Sequence, residues 1–204
     1  MGSGRTQRKR QTDLEIISEW IDEGSRVLDL GCGRGIFLEH LKNRRGIRGV
    51  GVDINVDKIS SCVKRGVTAY QGDALAFMDV FDDKHFDWVV CSRTLQEMSE
   101  PGLLLEKALR VGRNVAVGFA NYAYWKNRVH WLLHGSRPRN KVFTQEWAES
   151  RADVPISIGI FENYCAAKEI EICQRVYLKS DWKTPLQQLP NLRTGYAIYS
   201  LRKQ

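Results

Sequence analysis

The stretch Val27-Leu28-Asp29-Leu30-Gly31-Cys32-Gly33-Arg34-Gly35 joins a short apolar run, an acid inside it and three glycines spaced Gly-x-Gly-x-Gly. Glycines at such a place let the chain turn sharply as a strand hands over to a helix, and let a ligand approach the backbone closely. The spacing is not the Gly-x-Gly-x-x-Gly of dinucleotide sites, and no Lys-Ser/Thr follows as in a phosphate loop. Asp29 beside the loop would repel a pyrophosphate. S-adenosylmethionine carries a sulfonium and an α-ammonium and no phosphate, so the charges favour it, or S-adenosylhomocysteine as its product, over NAD or ATP. Gly31, Cys32, Gly33 and Gly35 are the candidate loop contacts.

Two further acids follow at strand ends. Asp53 closes Gly49-Val50-Gly51-Val52-Asp53, where its two oxygens are placed to accept both hydroxyls of a ribose; a helix N-cap is the plainer reading of the same residue. Asp73, in Gln71-Gly72-Asp73-Ala74, is placed to accept an adenine amino group while Ala74 and Ile54 line the same crevice. Acids at the ends of three successive strands converge where ligands sit in an open α/β sheet. Methyl transfer needs an in-line approach to the methyl carbon, so positioning carries most of the effect and no catalytic base has to be present. Ser92, Arg93 and Gln96 after the fourth strand, and Asn121, Tyr122 and Trp125 after the fifth, are the substrate-side candidates, Ser92 also being a candidate cofactor contact. His130 and His134 lie four apart on a predicted helix without a third metal ligand, and no metal site is expected.

These residues need a scaffold that brings strand ends together. The pattern predicts an amphipathic helix opening at a Thr12/Glu15 capping box and running through Leu14, Ile17, Trp20 and Ile21. Strands follow at 26–30, 49–53, 67–71, 86–91 and 115–119, with helices at 36–42, 56–65, 101–110 and a weak one at 75–78. A helix at 125–133 lies in an insertion or lid at about 121–155, crowded with aromatic and basic residues. A helix at 161–168 and strands at 171–178 and 196–201 close the chain. The alternation predicts an α/β fold with a parallel sheet covered on both faces.

The chain has 204 residues and a net charge of +7, of which Arg5, Arg8, Lys9 and Arg10 supply four, leaving about +3 for the body. That is too little to argue for nucleic acid, which needs several cations clustered on one face. Residues 1–11 read as a basic disordered tail or expression remnant, and 12–204 as one domain. Cysteines 32, 62, 91, 165 and 173 include no Cys-x-x-Cys pair and read as reduced and cytoplasmic. No stretch reads as a signal peptide or membrane span.

The glycine loop, Asp53 and Gly72-Asp73 resemble the motifs of class I S-adenosylmethionine-dependent methyltransferases. Thr94-Leu95-Gln96, Leu109-Arg110-Val111-Gly112-Arg113 and Phe119 with Asn121 and Trp125 narrow the likeness to the MetW family of methionine biosynthesis proteins. Gly135, Pro138, Lys141 and Glu146-Trp147 continue it through the insertion. Ala120 stands where that family usually has Pro, and Val154 near an expected His. The resemblance implies a Rossmann-like, seven-stranded sheet whose last strand is antiparallel, and a role alongside homoserine O-acyltransferase. A methyltransferase acting on a small molecule and a non-catalytic cofactor sensor are the alternatives.

Overall fold

The computed structural model describes residues 3–136 and 154–203, with side chains from Thr12 onward. The elements run α1 (Ser3–Trp20), β1 (Arg26–Leu30), α2 (Ile36–Arg45), β2 (Arg48–Asp53), α3 (Val56–Lys64), β3 (Thr68–Gln71), α4 (Ala74–Met78), β4 (Phe86–Ser92), α5 (Thr94–Glu97), α6 (Pro101–Val111), β5 (Gly112–Ala120), α7 (Trp125–His134), α8 (Ile158–Ala167), β6 (Glu171–Leu178), α9 (Pro190–Arg193) and β7 (Tyr196–Arg202).

The strands form one seven-stranded sheet in the order β3-β2-β1-β4-β5-β7-β6. Strands β1 to β5 are mutually parallel, and β7 inserts antiparallel between β5 and β6. The crossover reverses between β1 and β4, which places a crevice at their carboxyl ends. Apolar residues sit on both faces of the central strands because helices cover both. Leu28, Leu30, Val89, Val117, Phe119 and Tyr199 pack on one face with α6 and α8. Val27, Val90, Ala116 and Ile198 pack on the other with Ile17 of α1 and with Phe37, Leu38 and Leu41 of α2.

The element pattern matches the sequence reading closely at the strands and differs at the start of the chain. Helix α1 begins at Ser3, so Thr12 and Glu15 are interior helix residues and not a capping box, and the expected disordered tail is helical from residue 3. Residues 5–13 contain neither Gly nor Pro and are rich in Arg, Gln and Lys, so nothing local stops the helix at Thr12. Short helices α5 and α9 were not legible as periodic segments, since four residues make barely one turn. Of the insertion, α7 is described, closed by Gly135 in the left-handed conformation; Pro138, Lys141, Glu146 and Trp147 lie outside the described residues. Among the described residues no helix is long and apolar enough to cross a membrane.

Candidate functional site

The glycine loop leaves β1 and folds back on β2. The N–H groups of Gly31 and Cys32 both donate to the Val52 carbonyl, at 2.8 and 3.1 Å, and that of Gly35 donates to Cys32 at 3.1 Å. The Gly33 N–H donates to Asp53 Oδ2 at 3.0 Å. Gly31 and Gly35 both have left-handed φ, near 73° and 74°. A Cβ on Gly31 would meet Thr94 Oγ1 at 2.5 Å and one on Gly35 would meet Cys62 Sγ at 2.9 Å, so conformation and space both demand glycine. Because the Gly31, Cys32 and Gly33 donors are spent on β2 and that of Gly35 on the loop itself, these N–H groups do not form the outward cradle that binds phosphate.

Asp29 and Asp53 share the sheet face and the carboxyl edge beside this loop, and both are buried. Asp29 accepts no hydrogen bond from the described residues, and burial, with the Asp53 charge second, pushes its pKa up to about 7. A buried carboxyl without a donor is poised for a cation. Asp53 is fully engaged: Asn55 N–H and Gly33 N–H take one oxygen each, and the Lys58 ammonium reaches Oδ2 at 3.1 Å. The N-cap of α3 is Asn55, which settles the plainer reading of Asp53 against a capping role. Ile54 beside it is two-thirds exposed. Asp73 caps the first turn of α4 through Oδ1, at 2.9 and 3.0 Å from the Leu75 and Ala76 N–H groups, and Ala74 is buried behind it.

The opposite wall is built differently from its sequence reading. Ser92 donates to Asp13 of α1 at 2.9 Å and lies 3.2 Å from the Tyr196 hydroxyl, so its own hydroxyl is turned toward α1. Arg93 also reaches Asp13, at 3.4 Å, and its guanidinium lies over the Trp182 ring, 4.6 Å from the centroid. Asp13 is almost wholly buried; burial raises its pKa against the smaller opposing effects of Arg93, Ser92 and Tyr196.

The side chains of Gln96 and Asn121, expected to face substrate, are both engaged with backbone groups. Gln96 clasps Ala120 with both ends of its amide, donating to the carbonyl at 3.0 Å and accepting from the N–H at 2.8 Å. Asn121 donates to the Asn191 and Thr194 carbonyls and accepts from Ala123, knotting three segments together. A buried amide held in this way has its orientation set by the backbone groups it serves. Tyr122 packs half-buried against the α1 side of the core, and Trp125 stands exposed at the start of α7 with its ring edge-on to Tyr124. The His130 and His134 rings lie tilted to each other on α7 with centroids 4.6 Å apart, and no metal-ligand group forms among the described residues.

The sequence reading missed Asp13, Trp182 and Tyr196. Asp13 had a signal, since it precedes Ile17 and Ile21 at steps of four and so puts an acid on the buried stripe of α1. Trp182 and Tyr196 join Arg93 only through the tertiary fold.

Several known proteins share this architecture. The solved structure of a SAM-dependent methyltransferase from Archaeoglobus fulgidus superposes with a TM-score of 0.69 at 18% identity, covering 98% of this chain and 95% of that one. The cyclase SpnF superposes with a TM-score of 0.67 at 19% identity, covering 96% and 81%. One fold therefore carries different chemistry. Among curated relatives, the bifunctional methionine biosynthesis protein MetXA/MetW of Rhodopirellula baltica is 35% identical over 62% of this chain and 22% of its own length. The fatty-acid O-methyltransferase of Mycolicibacterium smegmatis is 30% identical over 67% of this chain and 45% of its own. The chain thus spans less than half the length of these relatives. The family model described as methionine biosynthesis protein MetW matches residues 11–201, and the chain belongs to that family.

Proposed function

We propose that the crevice at the carboxyl ends of β1 to β4 binds S-adenosylmethionine or S-adenosylhomocysteine, and that the protein acts in the cytoplasm beside a homoserine O-acyltransferase of methionine biosynthesis. The observation that carries the cofactor reading is the pairing of a glycine loop whose N–H groups point inward with a donorless carboxyl, Asp29, held near neutrality. Such a site disfavours phosphate and favours an ammonium. In this reading Asp29 faces the amino-acid end of the ligand, Asp53 takes the ribose hydroxyls in place of Lys58, and Ile54, Asp73 and Ala74 border the adenine. When bound, S-adenosylmethionine supplies an electrophilic methyl. The partner reading is supported by the relative that joins a MetW segment to MetXA in one chain.

Calorimetric titration tests the first half: both nucleosides bind, whereas ATP and NAD do not, and the reverse order would contradict the reading. Co-purification with the acyltransferase from the same cell tests the second, and its absence at near-equal expression would remove the partner. A second reading, methyl transfer to a small molecule, is favoured by the polar cluster around Arg93 and by likeness to O-methyltransferases. Transfer of label from the cofactor to an extract component supports it; cofactor binding without any transfer supports a sensor.

A further inference from the structure

We infer that Arg93, backed by Trp182 and Asp13, anchors the carboxylate of a monoanionic second ligand, the methyl acceptor in the enzymatic reading above; the inference rests on that reading for the ligand's role.

Arg93 follows the last residue of β4, and its neighbour Thr94 donates to the Leu30 carbonyl at 2.6 Å and lies against Gly31, so the guanidinium is rooted at the same sheet edge as the glycine loop. Arg93 has φ near 68° and Trp182 φ near 61°, two of the five left-handed non-glycine residues described, and they stack on each other across almost ninety positions of sequence. Such backbone is held against its own preference only where the surroundings fix it, and it gathers at ligand sites.

The guanidinium is fixed in plane but not saturated. Its flat face rests on Trp182, which itself stacks on Tyr196 with centroids 4.3 Å apart. The contact to Asp13, at 3.4 Å, is longer than the 2.7–2.9 Å usual for a charge-assisted bond. Nε is buried without a hydrogen-bond partner, as is Oδ1 of Asp13. The side chain keeps 26% of its surface open, while that of Asp13 keeps 2%. Asp13 therefore orients Arg93 through Nη2, and the N–H groups at the open quarter of the side chain are left for a planar two-oxygen anion. One arginine beside the buried acid Asp13 suits a single negative charge better than a phosphate dianion, since the Lys58 ammonium on the same edge is already taken up by Asp53.

The test uses the full chain with octanoate, octanamide and octyl phosphate as probes, titrated with and without saturating S-adenosylhomocysteine. Octanoate is expected to bind at least tenfold more tightly than either of the others, and to move the Arg93 Nε–H resonance. Arg93→Gln should erase the preference, and Arg93→Lys should restore only part of it because the fork is lost. Because Arg93→Gln strands Asp13 in the interior, the double variant Asp13→Asn/Arg93→Gln, which removes both charges, serves as the folded control. Equal binding of octanoate and octanamide, a preference that survives in either folded Gln variant, or an unmoved Arg93 resonance overturns the proposal. Carboxylate preference without nucleoside binding supports the Arg93 site and contradicts the cofactor reading; nucleoside binding without the preference does the reverse.

Discussion

The two walls of the crevice are assembled on different scales. The wall made by β1, β2 and β3 is local: a glycine loop, an acid within β1 and an acid closing β2, joined by Gly33 N–H donating to Asp53 across twenty residues. The wall made by β4, β5 and β7 draws Asp13, Arg93, Trp182 and Tyr196 from four distant segments. The first is a motif that any chain of this fold can carry, and the second belongs to this chain's particular packing. Shared fold thus comes with the first wall, while any specificity must come from the second.

The strongest way to break the local wall is Gly35→Val. A branched side chain at φ near 74°, with Cys62 Sγ at 2.9 Å and its Cα at 3.3 Å from the new Cβ, should destabilise the fold by about 3 kcal/mol or more. Denaturant unfolding checks it, and a loss below about 1 kcal/mol would mean the loop is slack.

The acid inside β1 gives a pH signature. Its folded pKa, about 7, lies above the ordinary 3.8, so the folded chain keeps a proton that the unfolded chain has released. Stability therefore falls as pH rises from about 4 to about 7 and levels off above. Asp29→Asn should remove that slope and be more stable than the natural protein at pH 8 by a few kcal/mol, since each tenfold change in proton affinity is worth about 1.4 kcal/mol. Unfolding curves at pH 4, 6 and 8 read it. A ligand ammonium would pull the pKa back down, so binding near pH 6 should release protons, measurable as a dependence of calorimetric heat on the buffer.

For the distant wall, Gln96→Ala severs two buried bonds to Ala120 and should cost about 2 kcal/mol of stability while leaving the local wall's nucleoside affinity within about twofold. A large loss of affinity would show that the two walls are coupled. The smallest effect is expected at Lys58, whose exposed ammonium occupies the Asp53 oxygens. Lys58→Met should tighten nucleoside binding by roughly two- to fivefold, because an exposed ion pair is worth only about 1 kcal/mol or less. Weaker binding in the variant would make Lys58 a ligand contact instead.

The same division explains what could be read from the sequence alone. All seven strands were legible because apolar runs between glycines and turn residues set them locally, from Arg26–Leu30 to Tyr196–Arg202. Asp29, Asp53 and the loop were legible because motif spacing and strand ends coincide. Ser92, Gln96 and Asn121 were placed at the right edge, but their protein partners were not legible, because spacing tells where a residue stands and not which neighbouring groups compete for its side chain. The Gln96 amide, for example, is taken up by the N–H and carbonyl of Ala120 at the end of β5. The Arg93 cluster was invisible, since its contacts span most of the chain, and the start of α1 was misplaced because a capping pattern inside a strong helix looks like a beginning.

In the proposed cofactor site a nucleoside sits on Asp53 in the local wall. Calorimetric titration of S-adenosylhomocysteine into the natural protein and into Asp53→Ala tests it most directly. Loss of two charge-assisted bonds to a ribose should weaken binding by about 3 kcal/mol or more, roughly a hundredfold or beyond. Unchanged affinity in a folded Asp53→Ala variant would place the ribose elsewhere and contradict the account.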